Sequence, residues 1–236
     1  VRAQPSIADP FRDLDVIDSR APRFNQTVVG LGSLIAILTG WWPILAALAL
    51  QLGVGLRFGR RYCLPCLAYF KLIQPRFGEG PIEDSRPPRF ANQIGVTVLT
   101  AASLAYVAGL QWLGIGLGGL VATLALLAAT TGFCAGCELY RLGARLQGIR
   151  GRRLDRIDPS DVDLGSPRAR ETVVSFGHPL CTDCQQLEAE VRASGRRLVT
   201  VDVRSQRDLA RKYGIALVPT AVVVTPDGWV TTRLAG

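Results

Sequence analysis

Two long stretches without a formal charge constrain this chain more than any other feature. No Asp, Glu, Lys or Arg lies between Arg23 and Arg57, and none in the 48 residues between Arg89 and Glu138. About 20 apolar residues suffice to cross a bilayer, and core helices of soluble proteins do not approach the longer of these lengths. A membrane protein is therefore expected. The composition agrees, since 48% of residues are apolar and only 19% charged, a balance that excludes a disordered chain. The pI near 9.6 belongs to unevenly placed basic residues, so no nucleic-acid partner is expected. The first 20 residues hold Arg2, Asp9, Arg12, Asp13, Asp15 and Asp18 with no apolar run, and no cleaved signal peptide is expected there.

The first gap, 33 residues, would make one helix of about 50 Å, too long for a hydrocarbon core of about 30 Å. Gly40-Trp41-Trp42-Pro43 breaks it, because Gly stops a helix and Pro starts one. Spans are expected from Pro22 to Thr39 and from Pro43 to Phe58. The second gap is read as dividing at Gly114, into Phe90 to Leu113 and Ile115 to Phe133. Trp41, Trp42 and Trp112 then sit at the two tips, as interfacial aromatics do. The expected fold is a membrane all-α four-helix bundle followed by a small α/β domain.

An internal repeat supports the count. Asp18-Ser19-Arg20-Ala21-Pro22-Arg23-Phe24 matches Asp84-Ser85-Arg86-Pro87-Pro88-Arg89-Phe90 at six of seven positions, and Asn25-Gln26 answers to Asn92-Gln93. Each hairpin ends in a cysteine pair, Cys63/Cys66 and Cys134/Cys137, with Tyr69 and Tyr140 each six residues after the first cysteine. The repeats run from about 18 to 72 and from 84 to 141, and should share one orientation about an axis along the membrane normal. Basic residues from Arg20 to Arg145 fall on one side of this arrangement. The positive-inside rule then makes both termini, the cysteine pairs and the C-terminal domain cytoplasmic, on the inner membrane of a bacterium.

Residues 1–147 are thus read as the membrane domain, 148–169 as an Arg-rich linker, and 170–236 as the soluble domain. The linker serves either as a solvated tether or as a contact for anionic lipid headgroups. In the soluble domain, strands are expected at 171–176, 198–203, 218–224 and 229–234, with helices at 185–194 and 206–213. This order, with Cys181-Thr182-Asp183-Cys184 after the first strand and Val218-Pro219-Thr220 opening the third, resembles the thioredoxin fold. Phe176, Cys181, Cys184, Val218-Pro219-Thr220 and Gly236 carry the resemblance. It implies a cis Pro219 lying against the dithiol and shaping a substrate groove.

A thiolate at a helix N-terminus gains from the helix dipole and unpaired amides, so Cys181 is the expected nucleophile. Cys184, one turn later, is placed to resolve the mixed disulfide. The chain departs from the thioredoxin pattern with Leu180 before the pair and Thr182-Asp183 inside it. Ser175 stands where many thioredoxins carry a buried carboxylate. Asp183 either replaces that proton acceptor or only raises the thiol pKa. His178 is a proton carrier or simply a turn residue.

All six cysteines fall in three CxxC pairs, which favours catalytic or metal-binding use in a cytoplasmic setting. Residues 15–147, through Gly132-Phe133-Cys134-Ala135-Gly136-Cys137-Glu138-Leu139-Tyr140, Pro22-Arg23-Phe24-Asn25-Gln26 and Thr39-Gly40-Trp41-Trp42, resemble an uncharacterised bacterial four-helix membrane family related to DoxX-like proteins. That resemblance implies no activity. In one reading the C-terminal dithiol exchanges with Cys63/Cys66 or Cys134/Cys137, and a quinone in the bilayer regenerates the pair. In another, Cys63, Cys66, Cys134 and Cys137 form a four-thiolate site for zinc or an iron–sulfur cluster. Inert helix-end cysteines, or a sulfur carrier with a persulfide on Cys181, remain open. Glu138 is a proton acceptor or an interfacial charge. Asn25, Gln26, Asn92 and Gln93 are expected to cap helices or hydrogen-bond between them. The C-terminal dithiol needs no cofactor, and the expected partners are membrane lipids and a protein or small-molecule thiol or disulfide substrate.

Overall fold

The computed structural model describes residues 8–151, 154–163 and 171–235, which fall into two units. One comprises Val1–Gly80 and Ser85–Tyr140, the other Pro81–Asp84 and Arg141–Gly236.

In the first unit, strand β1 (Val16–Asp18) leads into helix α1 (Arg20–Thr39). Gly40 takes left-handed backbone and stops α1, and Pro43 opens α2 (Pro43–Phe58). A 3-10 turn (Arg60–Tyr62), a short α3 (Leu64–Ala68), a π-helical turn (Tyr69–Ile73) and α4 (Gln74–Phe77) follow. After strand β2 (Ile82–Asp84), which belongs to the second unit, come α5 (Arg86–Val107), α6 (Gln111–Thr131) and α7 (Ala135–Gly151), the last passing into the second unit at Arg141.

The first expected turn is found where it was placed; the second is not. It lies at Ala108–Leu110, where Gly109 has φ +80°. Gly114 falls inside α6 and serves packing instead: a Cβ there would meet the Tyr106 ring at 2.5 Å. Both glycines suit a turn by composition, but only Gly109 adopts the left-handed backbone that ends a helix.

Helix α1 packs on α2 and α6, and α5 on α2 and α6, so the two hairpins pack against each other. Val29, Ala36, Leu45, Leu48, Leu52, Leu99, Ala102 and Val121 fill the core between them. Helices α5 and α6 are long and apolar enough to cross a membrane, and α2 is a shorter apolar helix. At 1.5 Å per residue, α5 spans about 33 Å and α2 only about 24 Å. Leu38, Leu50, Leu104, Leu120 and Trp112 point outward, each at least half exposed. The repeat is also structural: Phe24 pairs with Tyr69 at 6.1 Å and Phe90 with Tyr140 at 5.6 Å.

The second unit is built on a four-stranded sheet in the order β4 (Arg197–Asp202), β3 (Thr172–Gly177), β5 (Thr220–Val224) and β6 (Val230–Ala235). β3 runs parallel to β4 and antiparallel to β5. Every residue of β3 and β5 is buried, because alternate side chains feed two cores. Val173, Ala221 and Val223 pack with Val191 of α8 (Thr182–Ala193). Val174, Phe176, Val222 and Val224 pack with Tyr213, which follows α9 (Arg207–Lys212).

The expected linker is only partly one. Residues 152–153 and 164–169 lie outside the described residues, as does Gly236. Leu154, Ile157 and Val162 instead join the core of the second unit. Ile157 N donates to Gly228 O and Val230 N to Asp155 O, adding main-chain pairing beside β6. The high arginine content of the segment hides three apolar residues whose burial outweighs the solvation of their neighbours.

Candidate dithiol sites

Three cysteine pairs share one local geometry. In each, the first cysteine precedes a helix and its sulfur accepts the backbone N–H of the second: Cys66 N to Cys63 at 3.4 Å, Cys137 N to Cys134 at 3.3 Å, and Cys184 N to Cys181 at 3.2 Å. A CxxC spacing at a helix start produces this, since the orphan amides of the first turn point at the capping residue.

Cys181 follows the turn His178–Leu180 at the end of β3. Its N–H donates to His178 O at 2.9 Å, and the buried His178 accepts Leu180 N at Nδ1, 3.2 Å away. Gln185 Nε2 closes the turn on Pro179 O at 2.6 Å. Cys181 and Cys184 are joined by a disulfide, and each is 1% exposed. Val218 shares their buried cluster, and the Val218–Pro219 peptide is cis. Asp183 is exposed, whereas Ser175 is buried and its Oγ makes no hydrogen bond among the described residues. The same unit holds Pro81–Asp84 at this place: Ile82 N donates to Thr182 Oγ1 at 2.9 Å, and Val218 N to Asp84 Oδ2 at 3.3 Å. These bonds flank the dithiol, because Thr182 follows Cys181 and Val218 precedes Pro219.

In the first unit, Cys63 and Cys66 are joined by a disulfide with Cα atoms 5.2 Å apart. Gln51 Nε2 of α2 lies 3.5 Å from Cys63 Sγ. A cavity of about 90 Å³ lies beside the pair, its wall including Leu52, Arg60, Asn25 and Asn92. Arg60 donates to the carbonyls of Pro10, Asp13, Leu14 and Val16. Burial, then the neighbouring Arg89, lowers its pKa to about 10 against the opposing pull of Asp15 and Asp13.

Cys134 and Cys137 remain thiols. The Cys134 pKa is lowered to about 6, first by the Cys137 side chain, with help from the amides of Cys137 and Gly136 and from the Gln26 side chain, and against the effect of burial. Gly136 is required here, since a Cβ would meet the Ala91 Cβ at 2.8 Å. Glu138 lies in the first turn of α7 and is exposed. A second cavity, of about 150 Å³, has Cys134, Gln26, Asn25, Asn92 and Leu52 in its wall.

Asn25 and Asn92 occupy adjoining places in the two repeats' helices, and Asn25 Nδ2 lies 3.4 Å from Asn92 Oδ1, the interhelical contact expected of them. Four cysteines gathered for a metal are not found: among the described residues no group of three or more His, Cys, Asp or Glu side chains is placed to hold an ion. Cys63 and Cys66, joined in a disulfide, offer no thiolate to an ion. Gln51 beside Cys63, and the position of Arg60 in the wall of that cavity, carried no motif in the sequence. Gln51 was visible as a rare strongly polar side chain inside a charge-free helix.

The geometry thus defines a largely helical chain with two helices able to cross a membrane and cysteine pairs at helix starts. The sequence family described as a domain of unknown function, DUF4395, matches residues 17–145, more than half of the chain, which belongs to that family. The match includes the four cysteines of the first two pairs and ends before Cys181. No curated protein matches the sequence.

Proposed function

We propose that this is a multi-pass membrane thiol–disulfide oxidoreductase whose C-terminal domain is thioredoxin-like. The observation that carries the reading is the Cys181 site: a CxxC disulfide at the start of α8, directly after the central strand β3, with its first sulfur facing the helix amides. Outward leucines on a four-helix unit support a lipid setting, since a soluble surface rarely tolerates that much apolar side chain. By the distribution of basic residues, both termini face the cytoplasm of a bacterium.

Exchange at this pair runs in either direction. In the reduced protein the Cys181 thiolate attacks a substrate disulfide. A mixed disulfide forms and one substrate thiolate leaves. Cys184 then attacks Cys181 Sγ, the second substrate thiolate leaves, and the Cys181–Cys184 disulfide remains. Run in reverse, that disulfide oxidises a substrate dithiol and both cysteines become thiols. The reduced pair passes its two electrons to a Cys134–Cys137 disulfide by the same exchange, which leaves Cys134 and Cys137 as thiols.

Full-length protein in detergent, reduced and mixed with a peptide disulfide, tests this. Cys181→Ser should lower exchange at least 100-fold, and Cys184→Ser should accumulate the mixed disulfide. Full activity in Cys181→Ser would sink the assignment.

A further inference from the structure

The cavity beside Cys134 has three properties that together select a ligand. Its volume, about 150 Å³, is that of a space that holds one six-membered ring. Its wall is mostly apolar, with Val98 and Leu124 among its residues, and Leu124 is 40% exposed on the outside of the helices, so the cavity reaches the apolar exterior. Asn25, 5% exposed, also lines it, and among the described residues no donor reaches Asn25 Oδ1. A buried acceptor left without a donor is unfavourable, and a ligand hydroxyl would satisfy it.

We infer that this cavity binds the head of a lipid-soluble quinone and that Cys134 and Cys137 are the dithiol that reduces it. The inference rests on the oxidoreductase reading above and gives it an electron acceptor. The step balances: the Cys134 thiolate and the Cys137 thiol give up two electrons as one S–S bond forms and the Cys137 S–H bond breaks, while that proton and a second from water convert the ring's two carbonyls to hydroxyls. The dithiol is oxidised and the quinone is reduced to a hydroquinone. A ring is favoured over an acyl chain because a chain offers nothing to Asn25. The orphan atom is an acceptor, so it is satisfied by the hydroxyl of the reduced ring and not by the carbonyl of the oxidised one. The site should therefore bind hydroquinone about five- to tenfold more tightly than quinone, the worth of about one hydrogen bond.

The test uses full-length protein in lipid nanodiscs and a photoreactive short-chain benzoquinone. Crosslinks should map to peptides 91–98 and 120–136, with excess decylbenzoquinone competing, and the hydroquinone form should compete five- to tenfold better. Gly95 lines the cavity and has room beside it, a Cβ there meeting only Leu52 at 3.5 Å. Gly95→Leu should cut crosslinking at least tenfold. Ala125→Phe, which fills the same space from α6, should do the same should the first variant misfold. Asn25→Leu should retain crosslinking and lose the preference for hydroquinone. Crosslinks spread evenly over lipid-facing helices, equal competition by a fatty acid, or no loss in the folded cavity-filling variant would overturn the site. Binding is measured in a Cys181→Ser background as well, so a failure of thiol exchange at Cys181 leaves this readout untouched. Normal exchange without binding would overturn only the quinone site.

Discussion

The two repeats begin with nearly the same seven residues, yet their shared aspartate does different things. Asp18 is 4% exposed and accepts Tyr69 Oη at 2.9 Å, Gly80 N at 3.0 Å, Arg20 N at 2.9 Å and Gln74 Nε2 at 3.5 Å. Burial, and then Asp18, pushes the Tyr69 hydroxyl well above its usual range, so it remains a donor. Asp84, also buried, belongs to the unit that carries Cys181 and accepts Val218 N. One copy ties its own hairpin together; the other is given to the dithiol. A repeat therefore specifies the helical hairpin, while the residues around it specify the chemistry.

The largest effect expected from this contrast is on stability. Asp18→Ala would strand several donors in a buried place at about 1–3 kcal/mol each, so a loss of about 3 kcal/mol or more is expected. Asp84→Ala removes the acceptor of Val218 N and should cost about 1 kcal/mol. Denaturation of the two variants under one set of conditions measures both. Equal losses would break the comparison, because they would mean that both aspartates are structural to the same degree.

The cysteine pairs of the repeats differ in the same way. Cys63/Cys66 is a disulfide near Arg60 and Gln51, while Cys134/Cys137 stays reduced with Gln26 at the first thiol. With its pKa near 6 instead of 9, Cys134 is a thiolate at pH 7. An ordinary thiol with a pKa near 9 would be about 1% ionised there, against about 90% for one near 6. Without reductant, iodoacetamide should label Cys134 about three- to fivefold faster than a model thiol at pH 7, because the lower nucleophilicity of a low-pKa thiolate offsets much of its greater ionised fraction. The rate should hold above pH 6 and fall as pH drops through 6, since protonation removes the nucleophile. Gln26→Leu should move that midpoint upward. A midpoint near 9 in the wild type would remove the distinction between the pairs.

Much of this was legible in the chain. The charge-free gaps, Gly40 to Pro43 and the repeated Asp-Ser-Arg motif place α1, α2, α5 and the pairs of aromatics, because charge and glycine–proline punctuation act locally. Likewise, the apolar runs in 172–177 and 220–224 place β3 and β5. What was not legible depends on distant parts of the chain. Gly109 and Gly114 are equivalent until Tyr106 is seen against one of them. Leu154, Ile157 and Val162 look like stray apolar residues in an arginine-rich stretch until they meet the sheet. The three cysteine pairs were identified as pairs, but the cavity beside Cys134 exists only where four helices and the turn into α7 converge.

The smallest expected effect concerns how the second aspartate treats the dithiol. Pro81–Asp84 is held over the Cys181 site by two hydrogen bonds, Ile82 N on Thr182 Oγ1 and Val218 N on Asp84 Oδ2. Under the exchange reaction proposed above, an extended segment bonded at the residue before Pro219 would compete with an extended substrate pairing there, in the manner of strand addition. Removing one bond worth about 1 kcal/mol should free the site about fivefold more often. In reduced full-length protein, Asp84→Ala and Thr182→Ala should each raise the rate of peptide-disulfide exchange three- to fivefold, while Asp84→Asn, which keeps an acceptor, should change it less than twofold. The corresponding change in the first repeat, Asp18→Asn, should leave the rate at Cys181 unaltered in the fraction that stays folded. Acceleration by Asp18→Asn equal to that by Asp84→Ala would show that the effect is general loosening, and that the second aspartate has no separate role at the dithiol.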